Sequence, residues 1–352
     1  MLQIILLTIM KKSRLAILAA LLFAAGAFVV AHDKDGGAVV SLPAAAVAAD
    51  AASSATAATV DGARLLADVR TLASVEFDGR RTGTAGAHKT RAFLQQRFTE
   101  LGLTPFGAGY AQPFTFTHTS IKGLFTPGRP FRTDYKDAAN YIGFIKGSVS
   151  PERFIVVSAH YDHLGTKNGK LYPGADDNAS GVAAMLAVAA WFKTHPPAHT
   201  IVFAAFDGEE LGLRGAKAFM AALPFSKSQL ALNLNFDMLS HNDRNEIYAA
   251  GTIYTPRLAP LVAQAASRHT VNVKLGHDHG RLLPGGEPED WTDSSDHGPF
   301  HDAGVPFIYF GVEDHGDYHQ PGDTFDHINQ PFFLEVARLL VDVAATADSG
   351  LK

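Results

Sequence analysis

Cysteine is absent from this chain of 352 residues. Its absence excludes a disulfide scaffold, a thiolate zinc finger, a cysteine nucleophile and a lipid-modified cysteine anchor. Any metal must therefore be held by His, Asp and Glu. Charge is scarce as well: 18 % of residues are charged, against roughly 25 % in ordinary soluble domains. Neither sign dominates, with 30 Lys plus Arg, 35 Asp plus Glu and a net charge of −5. That balance lacks the basic surplus of a nucleic-acid-binding surface. There is no internal repeat, and beyond the amino-terminal segment no stretch is long and apolar enough to span a bilayer. What is plentiful is apolar material, 47 % of the chain, enough for a large core and too much for general disorder. Histidine is plentiful too, and 13 of its 16 occurrences fall between His160 and His327.

The amino terminus reads as an address. Lys11, Lys12 and Arg14 precede an apolar run from Leu15 to Val30, and Val29 and Ala31 supply a small-residue cleavage pattern. This is the order of a secretory signal, predicted to occupy residues 1–31, with Met10 a possible true start. The alternative, an uncleaved anchor, needs about 20 apolar residues, slightly more than the run offers. Export to the periplasm or medium is expected, with membrane contact only through this segment. Residues 32–60 are rich in Ala, Ser and Gly without an aromatic residue and read as a mobile linker. The folded part is expected over residues 61–348, as a single domain.

Within it, Ala63–Ala73 and Ala87–Leu101 carry apolar residues at helical spacing, and Gly102 is placed to stop the second helix. A turn-rich Gly79-Arg80-Arg81-Thr82-Gly83 lies between them. Phe114 and Phe116 alternate with threonines as in a half-buried strand, and Asn140–Ile145 reads as another. Phe154–Ala159, Thr200–Phe206 and Val305–Gly311 are nearly continuous apolar runs, whereas Leu230–Phe236 alternates through Asn233 and Asn235. Runs of this length between helices predict strands buried on both faces. The intervening helices are read at Ser180–Lys193, Leu213–Ala222, Pro256–Arg268 and Phe332–Ala345. The expected fold class is α/β, a three-layer α/β/α sandwich with a mixed, mostly parallel central sheet.

In such sheets ligands bind at the carboxyl ends of the strands, and there each apolar run delivers carboxylates or imidazoles. His160-Tyr161-Asp162 follows the first, Asp207-Gly208-Glu209-Glu210 the second, Asp237 the third, and Asp314-His315-Gly316-Asp317-Tyr318-His319 lies beyond the fourth. His160 is a candidate ligand with Asp162 orienting its ring, although His-x-Asp alone describes a surface loop pair equally well. In the tight loop Gly174–Gly181, Asp177, Asn178 or Ser180 suits a helix cap, and Asp176 is the better candidate for a carboxylate bridging two cations. Glu209 and Glu210 would repel each other at a buried strand end unless cations neutralise them. Neighbours on an extended chain point to opposite sides, so Glu210 is read as ligand and Glu209 as general base; alone, either suits a helix entry. Asp237 faces apolar surroundings, where burial raises its pKa and a cation resolves the cost. His319, with Asp323 to orient it, completes the set. One metal then takes His160, Asp176 and Asp237, the other Asp176, Glu210 and His319. Three protein ligands each leave room for a shared water. Nitrogen and oxygen donors suit zinc, and manganese or cobalt as well.

His160-Tyr161-Asp162-His163-Leu164-Gly165, Gly174–Gly181, Phe206–Gly212, Asn235-Phe236-Asp237 and Tyr318–Thr324 resemble, in order, the motif series of the co-catalytic zinc aminopeptidases. That family also holds glutamate carboxypeptidase relatives and glutaminyl cyclases. The resemblance spans Asp61 to Ala345. It implies a phosphorylase/hydrolase-like α/β fold, exopeptidase activity on peptides with a free amino terminus, and two zincs on the positions matching His160, Asp176, Glu210, Asp237 and His319. It also implies Glu209 as base and Asp162 as support. Some relatives carry a protease-associated insert; the interval here is too short for one, so residues 61–348 are read as one catalytic domain. Two other readings keep the fold: cyclisation of amino-terminal glutamine on one metal, or a binding protein that has lost catalysis. His163, His195, His199, His297, His301 and His315 are read as surface or packing residues. The loop Asp293–Gly298 is read as a possible pocket wall, and Gly286–Asp290 as a solvated acidic loop.

Overall fold

The computed structural model describes residues 29–32, 38–41, 58–120, 131–278 and 289–351. The chain divides into two units, residues 1–55 and 56–352. In the first, Val29–His32 pairs antiparallel with Ala38–Ser41, a pairing that falls across the expected cleavage site and into the stretch read as linker. The rest of the expected signal segment and, these strands apart, the linker up to residue 57 lie outside the described residues. Among the described residues no helix is long and apolar enough to cross a membrane.

The second unit is built on one eight-stranded sheet. Its strands are β1 (Ala111–Thr119), β2 (Arg132–Ile145), β3 (Ser150–His160), β4 (His199–Phe206), β5 (Leu230–Phe236), β6 (Glu246–Ala250), β7 (Asn272–Leu275) and β8 (Phe307–Gly311). The spatial order is β7-β6-β8-β5-β3-β4-β2-β1. The four central strands β8, β5, β3 and β4 run parallel, with β2 and β1 antiparallel at one edge and β6 antiparallel to β8 at the other. The four apolar runs of the sequence are these central strands. Burial on both faces explains why three of them lack alternation: β3 sends Ile155, Val157 and Ala159 into one core and Phe154 and Val156 into the other.

Helices cover both faces. α1 (Gly62–Leu72), α2 (Ala85–Leu101), α3 (Gly181–Thr194), α5 (Ala259–Ala266) and α6 (Gln330–Gly350) pack into the larger core. α4 (Arg214–Ala221) and a short helix at Gly298–Asp302 cover the other face through Ala216, Phe219 and Phe300. Asp61 caps α1 by accepting from the Arg64 amide at 3.0 Å, and Gly102, at φ 72°, ends α2 in the left-handed conformation that glycine adopts without strain. α3 is apolar nearly all round because sheet and helices enclose it.

Chain order around β3 creates the site. After β3 the chain crosses over to β4 on one side, and then returns to β5 on the other. A crevice at the carboxyl ends of the strands opens at such a switch point.

Candidate metal centre

Three segments leave the sheet at this edge and carry the site. β3 ends at His160. β4 is followed by Gly208, whose φ of 72° turns the chain into a short 3-10 turn bearing Glu209 and Glu210. β5 is followed directly by Asp237. Between β3 and α3, Gly174 at φ 62° opens the turn that carries Asp177.

The structure brings five side chains together around Asp177. His160 Nε2 lies 3.1 Å from Asp237 Oδ1 and 3.3 Å from Asp177 Oδ1. On the other side of the same carboxylate, His319 Nε2 lies 3.1 Å from Asp177 Oδ2 and 3.3 Å from Glu210 Oε2. Donors about 2.0–2.1 Å from a tetrahedral ion stand ~3.3–3.4 Å apart, so both triads have the spacing of ligands sharing a cation. Asp177 offers one oxygen to each.

The structure places Asp177, not Asp176, between the two imidazoles. Asp176 was expected to bridge, with Asp177 a possible cap. Instead Asp176 Oδ1 accepts from the Ser240 amide at 2.6 Å and the Ser240 hydroxyl at 2.8 Å, and Oδ2 lies 3.0 Å from His315 Nε2. Asp176 Oδ1 thus ties the loop to Ser240 in the segment after β5, and Oδ2 ties it to His315. Asp323 likewise does not orient His319; its oxygens accept from the amides of Asp176 and Asp177 at 2.8 and 3.0 Å, fixing the loop from below.

The support of His160 also differs from expectation. Its Nδ1 sits 3.1 Å from the backbone carbonyl of Asp162 and 3.8 Å from the carboxylate. The Asp162 carboxylate accepts from the Glu209 amide at 3.0 Å and from the Thr82 hydroxyl at 3.3 Å. Thr82 also reaches Asp207 at 2.8 Å. Asp162 therefore couples the His160 strand end to the turn that carries Glu209. Glu210 faces His319, and the Glu209 charge acts on His160.

Arg80, from the turn-rich stretch before α2, is wholly buried and binds backbone rather than carboxylate. Its guanidinium donates to the carbonyls of Tyr161 (2.9 Å), Leu72 (2.7 Å), Pro173 (2.6 Å) and Gly174 (2.7 Å), with Asp177 at 3.5 Å. It thus spans both ligand-bearing loops. Burial lowers its pKa to about 10, with Asp323 and Asp177 opposing, so it stays charged at neutral pH.

A second polar line runs through the sheet. Asn233 donates to Ser158 at 2.9 Å, Ser158 to Asn235 at 2.6 Å, Asn235 to Ser295 at 2.9 Å, and Ser295 to Asp237 Oδ2 at 2.7 Å. All four donors are buried. The alternation noted in β5 is this line. Ser295 therefore acts behind a metal-ligand candidate, and Asp296 beside it is fully buried.

Electrostatics follow from this crowding. Burial opposes a charge on His160, but Asp237, Glu209 and Asp177 hold its pKa well above the ordinary imidazole value. Burial likewise works against His319, yet Asp177 and Glu210 raise it to about 10. Asp177 is held well below the usual carboxylate range: His163, His160 and His319 together outweigh its burial. Burial pushes Glu209 well above the ordinary glutamate value, with Asp296, Asp237 and Glu210 adding to it. Asp237 is raised by burial and by Asp177, with His160 and the Ser295 hydrogen bond opposing. Without a metal, protons on the imidazoles neutralise the carboxylates. A cation would take over that role.

Of the histidines read as surface or packing residues, three are buried. His163 lies with Nδ1 2.8 Å from Glu210 Oε1 and 3.6 Å from Asp177 Oδ2, so it adjoins the cluster. His297 Nε2 is 2.7 Å from the Trp291 carbonyl, and His199 binds the end of α6 through Asp348.

Sheet and cluster define the class: an α/β protein with a carboxylate-bridged candidate metal centre at its strand ends. Comparison then gives the family. The profile of peptidase family M28 matches residues 140–344, and the chain belongs to that family. A probable zinc metalloprotease of Pyrenophora tritici-repentis is 38 % identical over 105 residues, covering 29 % of this chain and 24 % of that protein. Aminopeptidase YwaD of Bacillus subtilis is 32 % identical over 158 residues, covering 43 % of this chain and 32 % of that protein. The matches thus span about a quarter to a third of those relatives' length. In fold, the chain resembles BSAP, a zinc aminopeptidase from Bacillus subtilis (TM-score 0.66, 18 % identity, 84 % of this chain and 97 % of that one). It also resembles a glutaminyl cyclase of Bacteroides thetaiotaomicron bound to N-acetylhistamine (TM-score 0.63, 17 % identity, 82 % and 98 %).

Proposed function

We propose that the chain is a metallo-aminopeptidase that hydrolyses the amino-terminal bond of peptides at a pair of divalent cations. The observation that carries this reading is Asp177, a buried carboxylate with one oxygen in each of two donor triads. His160, Asp177 and Asp237 would hold one ion, and Asp177, Glu210 and His319 the other. Imidazole and carboxylate donors suit zinc, with manganese and cobalt next. Such a pair lowers the pKa of a water and polarises a carbonyl.

The chain's own residues supply the rest. Glu209, raised in pKa by burial, takes a proton from the attacking water and returns it to the leaving amine. Asp162 holds the Glu209 amide and, through its carbonyl, the His160 ring. Ser295 fixes the unshared oxygen of Asp237. The names of YwaD and BSAP support the peptidase reading, and the cyclase fold neighbour makes glutamine cyclisation the alternative.

The test is a panel of aminoacyl anilides, dipeptides and amino-terminal glutaminyl peptides, with metal analysis of the same sample. Hydrolysis with two metals per chain is expected. Cyclisation without hydrolysis, on one metal, would replace the proposal with the cyclase, and a metal-free, inactive protein would replace it with the binding relative. We infer in addition that residues 1–31 direct export and are removed there. Amino-terminal sequencing of extracytoplasmic protein should begin at His32.

A further inference from the structure

We propose that His163 is a fourth protein ligand of the cation assigned to Asp177, Glu210 and His319. That half of the centre is then closed by protein, while the half on His160, Asp177 and Asp237 keeps its open position beside Glu209. The inference rests on the two-cation reading above.

Four observations carry it. The His163 side chain is fully buried, at 0 % exposure. Among the described residues neither of its ring nitrogens has a hydrogen-bond partner, and neither does Glu210 Oε1. Yet Nδ1 and Oε1 stand only 2.8 Å apart, so the contact lies off the ring's N–H direction. His163, Asp177 and Glu210 each offer a ligand atom, all within 4.8 Å of one another, so one ion beside the unpartnered nitrogen and oxygen would satisfy both. Glu210 is also divided between imidazoles, Oε2 facing His319 and Oε1 facing His163. Finally, the ring has a built seat: a Cβ on Gly174 would come within 2.6 Å of His163 Cγ and Cδ2, so the glycine at the loop entrance makes room for the imidazole. A merely packed ring would need no polar edge there.

The consequence is asymmetry. Three protein ligands leave a zinc position for water, and four close it. The ion on His160 would then be the more open of the pair, on the side where the Glu209 charge acts.

The test loads wild-type protein and His163→Leu with cobalt, then with zinc. The expected result is that one of two metal equivalents binds more than 100-fold more weakly in the variant and that its cobalt d–d bands change in position and intensity. An outer contact that only orients a ligand weakens binding by about 10–100-fold and leaves the ligand set intact. Unchanged bands, with any loss of affinity, overturn the proposal. If the variant does not fold, X-ray absorption of the wild-type di-zinc protein decides: three imidazoles per pair of ions support the assignment, two overturn it. A wild-type chain that binds no metal defeats the two-cation reading itself; two normal equivalents in His163→Leu defeat this inference alone.

Discussion

Replacing Arg80 by Lys tests whether one buried guanidinium holds the ligand loops together. The substitution keeps the charge and the stem, and lysine meets the same φ of 53° as arginine does. What changes is the number and direction of donors. Arginine uses its five N–H groups on the carbonyls of Tyr161, Leu72, Pro173, Gly174 and, more distantly, Asp177. An ammonium has three donors and no rigid fork, so at least one of the close carbonyls is left unserved in a dry interior. Each buried acceptor left without a partner costs about 1–3 kcal/mol, giving ~1–6 kcal/mol for one or two of them. For a domain of this size that is roughly 2–10 °C of melting temperature. Pro173 and Gly174 open the loop that carries Asp177, so zinc affinity should fall in parallel. Excess zinc should then restore part of the loss, about 2.7 kcal/mol at a hundredfold excess over Kd. Thermal melts of metal-free and zinc-loaded wild type and Arg80→Lys measure both effects. A metal-free midpoint within 1 °C of wild type, a shift that ~1 kcal/mol would already exceed, together with unchanged zinc affinity, refutes the scaffold role.

Two further outcomes follow from the site. Glu209→Gln should lower kcat by about 10²–10⁴ while metal content stays at the wild-type level, because only proton transfer is removed; turnover near wild type would take Glu209 out of the base role. Metal binding should release protons. In the metal-free protein His160 and His319 have raised pKa values, about 10 for His319, so both are protonated at pH 7 and must lose that proton to ligate. Affinity should therefore rise with pH between 6 and 8, about tenfold per unit for each proton displaced, and zinc added to weakly buffered protein should acidify it. Calorimetry in buffers of different ionisation enthalpy reads the number, and a value of zero excludes these imidazoles as ligands.

Much of this was legible in the chain before its folding, for reasons tied to particular residues. Strands buried on both faces leave continuous apolar runs, so β3, β4, β5 and β8 were visible and His160, Glu209, Glu210 and Asp237 followed as their next residues. Strand β6 and the edge strand β7 were not, since they are only five and four residues long and β7 is partly exposed, so neither leaves a long apolar run. The choice between Asp176 and Asp177 was not legible either. Both sit in one loop, and what separates them is Ser240 and His315, which lie far away in sequence and engage Asp176. His163 was passed over because a single loop histidine has no periodicity to report its burial. Asp323 was sensed as a support near His319, but its actual partners are backbone amides, which carry no residue-type signal.

The line from Asn233 through Ser158, Asn235 and Ser295 to Asp237 has one orientation, every proton aimed toward the carboxylate. Reversing any single amide would set two donors or two acceptors face to face, so its members cannot drift independently. Neighbouring strands and a distant loop are thereby obliged to vary as one unit. Anyone grafting this centre onto another scaffold would have to carry the strand interior along with the visible ligands.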